Sequence, residues 1–512
     1  MKFASYLAAH AAAMASKEAV ICAERRVTFG ELHAATDRLA NSLRALGVAV
    51  GDRIAIYVPN SVEFVVAFIA VVKSGAVAVP INLRLSVPEI GHILNDCTPK
   101  AAFIADETRA NFDRAAAGPA AILRIVADAP PRAEERSMAA LAEGGAPGTP
   151  EVPYQFDDCM ICYTSGTTGK AKGAILTQAN YVVLNGFLNA LLWGLTADDR
   201  QLVTVPLAHR TGFARVANMI LHGCTLIILP RFDAREAARL IERERVTVLG
   251  MVPTVARMML EETEAAPGRF ATLHTILVTG EAFPLQVKER LHRALPHVRL
   301  QSFFAMTEVG GLTNLGPEEQ FTHPTSVGRL FPGVELKLVD NGGREVAPGE
   351  VGEMWVRTGE PGRFLTMRGY FGRPKETAET IRDGWVATGD MARLDAEGYL
   401  YIVDRKKDMV NSGGYNVYSR EVELTILELA AVRDVAVVGV PDAVFGEAVA
   451  AYVEMNPGSS ATEEEIVAHC RERIAGYKKP RHVRFVAALP RNSLGKVIKY
   501  KLREEFAVAA GN

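Results

Sequence analysis

Residues 53–58 read as a strand that opens on Arg53, residues 61–73 carry their apolar positions on one helical face, and residues 76–79 form a second apolar run. A period of two fits a pleated strand and a spacing of three to four fits a helix face, so this order predicts a βαβ unit. The rhythm returns downstream, where 201–205, 225–229, 246–250, 275–279 and 299–303 read as strands separated by helical stretches such as 234–244. Strands alternating with helices predict parallel sheets covered by helices. Two stretches lack the rhythm. Residues 105–150 are rich in Ala, Pro and Gly, which predicts peripheral helices and loops, and the alanine-rich N-terminus reads as an amphipathic first helix. It imitates a signal peptide only faintly, because His10 interrupts it and leucines are few.

From about 328 to 404 the pattern changes to short strands and turns, with Asn341-Gly342-Gly343 and Asp383-Gly384 as turn signals. A β-rich subdomain is expected there. Residues 405–512 then form a final α+β unit of ordinary small-domain size. The expected fold class is therefore α/β: a large N-terminal domain, 1–404, of parallel sheets covered by helices plus the β-rich subdomain, and a small C-terminal domain, 405–512.

Composition agrees and narrows the classes. A chain of 512 residues is too long for one core, and 49% hydrophobic with 23% charged residues fits an ordinary α/β enzyme. A net charge of -2 gives no argument for nucleic acid as a partner. Six scattered cysteines point to reduced thiols and a cytoplasmic location. Cys159 and Cys162 form a C-x-x-C within an apparent strand, where a separation of three points them to opposite faces and favours core packing over redox or zinc chemistry. The longest apolar run, 64–72, is too short to span a membrane.

The chemistry is concentrated in Tyr163-Thr164-Ser165-Gly166-Thr167-Thr168-Gly169-Lys170-Ala171-Lys172-Gly173. Glycines let backbone N–H groups turn toward an anion, hydroxyls donate further hydrogen bonds, and Lys170 and Lys172 supply charge, so the stretch reads as a phosphate cradle. Apolar runs on both sides place it between two strands. A Walker P-loop is excluded, since Thr164 and Ala171 stand where that motif needs Gly and Ser or Thr.

The complete string resembles the phosphate loop of the AMP-forming acyl-CoA synthetases and their relatives, the luciferases and peptide-synthetase adenylation domains. Further strings match that family in order. Phe304-Ala305-Met306-Thr307-Glu308 resembles its Tyr-Gly-x-Thr-Glu motif, which implies Thr307 at the α-phosphate, Glu308 on Mg²⁺ with Thr164 as a second metal contact, and Phe304 with Ala305 beside adenine. Gly280-Glu281-Ala282 resembles the adenine-flanking turn. Asp390, ending Trp385-Val386-Ala387-Thr388-Gly389-Asp390, matches the carboxylate that receives both ribose hydroxyls, and Arg405 the arginine that contacts ribose. Lys407, two residues on, is the implied hinge of a mobile C-terminal domain. Its neighbour Lys406 reads as solvated. Ser412, Gly413 and Gly414 resemble the loop along which the pantetheine of coenzyme A enters, and Pro490-Arg491-Asn492-Ser493-Leu494-Gly495-Lys496 the C-terminal signature, whose lysine bridges the carboxylate and the α-phosphate.

The resemblance covers essentially the whole chain and implies an AMP-forming acid:CoA ligase that uses ATP, Mg²⁺ and coenzyme A. His209 matches the gate of the acyl pocket, Phe303 stands at a position that is often Gly, and Arg210 adds a cation beside His209. Medium or long fatty acids and aryl acids are the main candidates, with a polar or dicarboxylic acid read by Arg210 as a minority alternative. A stand-alone adenylation protein that loads a carrier-protein thiol and a nucleotide-binding pseudoenzyme are the rival functions. A homodimer is left open.

Overall fold

The computed structural model describes residues 2–116, 122–164, 171–280, 282–491 and 497–510. Chain contacts divide it into two compact units, one of residues 1–335 and 356–386, the other of residues 336–355 and 387–512.

The first unit is built on two largely parallel sheets, as the alternating pattern requires. In the nine-stranded sheet the spatial order runs Arg329–Leu330, Gly310–Leu315, Arg299–Met306, Thr275–Val278, Val248–Met251, Arg200–Val203, Thr225–Ile228, Glu18–Cys22, Arg25–Thr28. Its interior strands are parallel and its edges antiparallel. One face of the central strands, with Leu249, Met251, Ile276 and Val278, is buried beneath the helices Ala234–Arg243, Pro253–Ala265 and Leu285–Ala294. Alternation then gives Gly250, Leu277, Gln301 and Phe303 the other face.

The eight-stranded sheet contains the first βαβ unit: Arg53–Tyr57, the helix Val62–Ser74 and Val77–Pro80. Ser61 caps that helix by accepting from the Phe64 N–H, and Gly75 ends it at φ 83°, a left-handed conformation that favours glycine. The stretch 105–150 is more regular than its composition indicates, since Leu123–Val126 and Glu135–Ser137 extend this sheet in parallel. Strands so short leave too few residues for a period to register.

A bulge between Asp158 and Met160 corrects the expectation for the C-x-x-C pair. The extra residue shifts the pleat, so Cys159 and Cys162 enter the same hydrophobic core rather than opposite ones. Both thiols are free and buried, and burial pushes their pKa values up, Cys162 to about 11.

In the second unit the β-rich stretch supplies the strands Gly352–Arg357, Trp385–Leu394 and Leu400–Arg405, and the contact division runs through two of them. The expected boundary at 404/405 therefore remains a proposal about where motion occurs. Beyond it, Val432–Asp442 and Gly446–Met455 form a long antiparallel pair, with His482–Val486 parallel to the second and the hairpin Val410–Ser412 and Tyr415–Val417 at its edge. Helices Ser419–Ile426 and Glu463–Arg473 lay Val422, Ile426, Ile466 and Cys470 onto this sheet. Among the described residues no helix is long and apolar enough to cross a membrane.

Candidate active site

Parallel strands deliver their C-terminal ends to one rim of a sheet, and in open α/β sheets that rim binds ligands. Thr275–Val278 and Arg299–Met306 are parallel neighbours, and the Thr279 hydroxyl donates to the Phe303 carbonyl at 2.8 Å just beyond their ends. Gly280 follows at φ 103°, where an L side chain is strained, and Gly280 and Ala282 are both exposed. Phe304, Thr307 and Glu308 are half-buried on the neighbouring strand and its turn, and Ala305 is exposed.

Glu308 is held from two directions. Its carbonyl accepts from the Met367 N–H at 2.8 Å and its carboxylate Oε1 from the Tyr370 hydroxyl at 3.1 Å. Tyr370 lies in the edge strand Gly369–Tyr370, which pairs with Lys172–Thr177, and the Lys172 ammonium sits 4.5 Å from the centre of its ring. Burial first and the Glu308 charge second push the Tyr370 pKa up, so the phenol keeps its proton and donates. Thr164 faces Lys172 across the antiparallel pair Asp158–Thr164 and Lys172–Thr177, so the phosphate loop joins two strands as expected. Ser165, Gly166, Thr167, Thr168 and Gly169, together with Lys170, lie outside the described residues, as do Glu281 and Lys496.

This donor set suits Mg²⁺. Among the described residues no cluster of three or more acidic, His or Cys side chains forms a protein cage. Magnesium does not need one, because it keeps water and phosphate ligands around one or two carboxylates. Glu308, steadied through Oε1 by Tyr370, would serve as such a carboxylate.

The helix Arg210–His222 begins at the same rim, with His209 as its N-cap, Nδ1 accepting from the Thr211 N–H at 3.2 Å. Arg210 follows as the first residue of that helix. Only 7% exposed, it donates through Nη1 to the Met306 carbonyl at 2.9 Å and also to the Thr307 carbonyl. A guanidinium engaged in this way holds the motif's backbone through Nη1 and, among the described residues, leaves Nη2 buried with no hydrogen-bond partner. Phe303 packs against Trp193 with ring centres 4.9 Å apart, and Trp193 Nε1 donates to Asn314 Oδ1 at 2.9 Å.

In the second unit Asp390 and Arg405 face each other across antiparallel strands and form an ion pair, Nε to Oδ1 2.6 Å, with Asp390 buried. Lys406 is paired with Glu353 at 2.8 Å, whereas Lys407 is exposed in the turn after Leu400–Arg405, its carbonyl accepting from Arg503 at 3.2 Å. Ser412 is buried, and Gly413 and Gly414 make the hairpin turn at φ 60° and 82°. Sequence reasoning missed Tyr370, whose only signal is an aromatic pair after a glycine in Arg368-Gly369-Tyr370-Phe371.

Comparison with known proteins agrees with this geometry. The family described as AMP-binding enzyme matches residues 7–371, and the AMP-binding enzyme C-terminal domain matches 421–496. A long-chain-fatty-acid–CoA ligase of Mycobacterium tuberculosis is 36% identical over 492 residues, covering 94% of this chain and 93% of the relative. A feruloyl-CoA synthase of a Streptomyces species is 36% identical over 485 residues, covering 94% of each chain. The solved o-succinylbenzoate CoA synthetase of Bacillus subtilis, in complex with its acyl-adenylate intermediate, superposes with a TM-score of 0.85 at 30% identity over 97% of each chain.

Proposed function

This chain belongs to the AMP-binding enzyme family and is an AMP-forming acid:CoA ligase using ATP, Mg²⁺ and coenzyme A, and from that premise we propose how its own residues divide the work. In the first half-reaction a carboxylate oxygen bonds to the α-phosphorus of ATP and the bond to pyrophosphate breaks. In the second, the sulfur of coenzyme A bonds to the acyl carbon, AMP leaves, and the thiol proton passes to solvent.

Thr307 donates to the α-phosphate, and Glu308 with Thr164 would hold Mg²⁺, which supplies charge neutralisation at the phosphates when bound. Residues 164–169 with Lys172 cradle the phosphates, while Gly280, Glu281, Ala282, Phe304 and Ala305 bound the adenine. Asp390 and Arg405 bind the ribose, Lys496 bridges the acid and the α-phosphate, Lys407 is the hinge between domains 1–404 and 405–512, and Ser412, Gly413 and Gly414 admit pantetheine. The observation that carries this reading is the anchoring of Thr307 and Glu308 at one rim by Arg210, Met367 and Tyr370, beside Lys172. Preorganised groups at a transferring phosphorus are the main electrostatic means of lowering that barrier.

The acid is a fatty or aryl acid whose apolar body lies against Trp193 and Phe303 and passes His209. Relatives named for long-chain fatty acids and for ferulate match equally well, so likeness alone leaves the acid open. Six free cysteines, most of them buried, support a cytoplasmic location. An acid panel assayed for AMP release with coenzyme A and with a carrier-protein thiol tests the reading. Release that depends on coenzyme A is expected. Release with the carrier thiol alone would replace it with the stand-alone adenylation function, and none with any acid would leave a nucleotide-binding pseudoenzyme.

A further inference from the structure

Arg215 lies on the helix Arg210–His222, among Phe213, Val216 and Ala217, and is 3% exposed. Among the described residues its guanidinium has no hydrogen-bond or ion-pair partner, and the one group felt electrostatically is the thiol of Cys224. Burial lowers its pKa to about 10, still far above neutrality, so the side chain is a cation in the protein interior. Buried charges are ordinarily paired, because an isolated one forfeits its hydration for nothing.

The fold makes room for this cation. A Cβ at Gly250 would meet Arg215 Nε at 2.4 Å, Nη2 at 2.5 Å and Cζ at 2.8 Å, so the guanidinium lies directly against the Gly250 backbone. Gly250 is in register with Leu277, and Leu277 with Gln301. These residues share one sheet face with Phe303, two strands over and two residues further along, a separation on the order of 12 Å from ordinary strand spacings. That layer also carries polar groups: Asn218, one turn beyond Arg215, donates to Gln201 at 2.9 Å, and Asn314 donates to Gln301 at 3.3 Å. The cation thus sits on the face that carries the proposed acid-lining pair Trp193 and Phe303.

We propose that the acid substrate carries a second carboxylate at its far end, and that Arg215 binds it. The proposal rests on the chain being an acid:CoA ligase whose acid lies along this face. An arriving carboxylate supplies the missing partner, and a guanidinium presents two parallel donors that match its oxygens. Arg210 turns Nη1 to the Met306 and Thr307 carbonyls and lies by Gly310, at the motif rather than against Gly250.

The test is acid-dependent pyrophosphate release with matched pairs: straight-chain acids and their ω-carboxylated counterparts of equal length, and aryl acids with and without a distal carboxylate. At least one diacid is expected to exceed its monoacid partner in kcat/KM by about tenfold or more, since a site built around a polar group rejects the analogue lacking it. Arg215→Met, which keeps much of the apolar stem, should bring that ratio to about one or below, mainly through KM for the diacid. If Arg215→Met does not fold, as judged by its thermal transition, Gly250→Ala is the second variant, because its Cβ must displace the guanidinium; it should lower the same ratio. A wild-type preference for every monoacid over its diacid, or a diacid preference that survives both substitutions, overturns the proposal and leaves the ligase reading intact. An absence of pyrophosphate release with every acid tested would sink that reading, and this proposal with it.

Discussion

Tyr370 and Glu308 are hydrogen-bonded to each other, and the proposed phosphoryl chemistry rests on that pair. A hydrogen bond to a charged group contributes about 1.5–3 kcal/mol, so Tyr370→Phe should slow acid-dependent pyrophosphate exchange by about ten- to a hundredfold. The Mg²⁺ dependence should move to higher concentration, because the freed carboxylate is no longer aimed. Glu308→Gln keeps the shape and removes the charge, and should cost on the order of 10²-fold or more. Exchange by Tyr370→Phe at the wild-type rate across a Mg²⁺ titration would show that its bond to Glu308 at 3.1 Å does no work. The two residues also differ in legibility. Glu308 stands inside a string whose neighbours identify it, whereas Tyr370 reaches the site only because an edge strand pairs with Lys172–Thr177, and nothing in the sequence announces that pairing. Arg215 was hidden for a related reason: a single arginine on an apolar helix face gains meaning only when Gly250 is found beneath it.

At the level of elements, the helix Arg210–His222 and the strand Arg299–Met306 are joined by one side chain. Arg210 holds two successive carbonyls of the motif turn through Nη1, and lysine, a flexible point charge, lacks the planar guanidinium that fixes that nitrogen in place. Arg210→Lys should therefore reduce adenylation by about tenfold or more and raise KM for ATP, while the rank order of acids stays as in the wild type. A changed acid order with an unmoved KM for ATP would return Arg210 to the acid pocket. Elements of this kind were readable where local chemistry decides them. Asp383 and Gly384 adopt φ 51° and 77°, the paired left-handed conformation of a two-residue hairpin, and Ile381–Arg382 pairs with Trp385 and Val386 around them. The bulge at Asp158–Met160 was not readable, since it depends on the partner strand Lys172–Thr177, and it overturned the facing of the two cysteines. Leu123–Val126 was missed because a short strand inside an alanine-rich stretch owes its form to its neighbour Ala101–Ile104.

For the whole molecule, the order of motifs along the chain carried the family, and periodicity carried the parallel sheets. Neither determines which segment moves. The contact division runs through strands of the β-rich stretch, while the proposed hinge lies in the exposed turn after Leu400–Arg405. Function can decide between them, because two chemistries at one site make opposite demands on the C-terminal domain. Lys496 is proposed to serve adenylation alone, so Lys496→Ala should abolish acyl-adenylate formation yet still convert supplied acyl-adenylate to thioester. Lys407→Pro should do the reverse, since proline fixes φ near about -65° and resists the rotation a hinge requires; adenylation should survive and thioester formation fall. Each half-reaction is followed separately, by pyrophosphate exchange and by thioester formation from added adenylate. The paired design guards against unfolding, because each variant must retain one partial activity. Folded variants that both lose both half-reactions, or a Lys496→Ala enzyme that makes adenylate at the normal rate, would remove the case for domain alternation about Lys407.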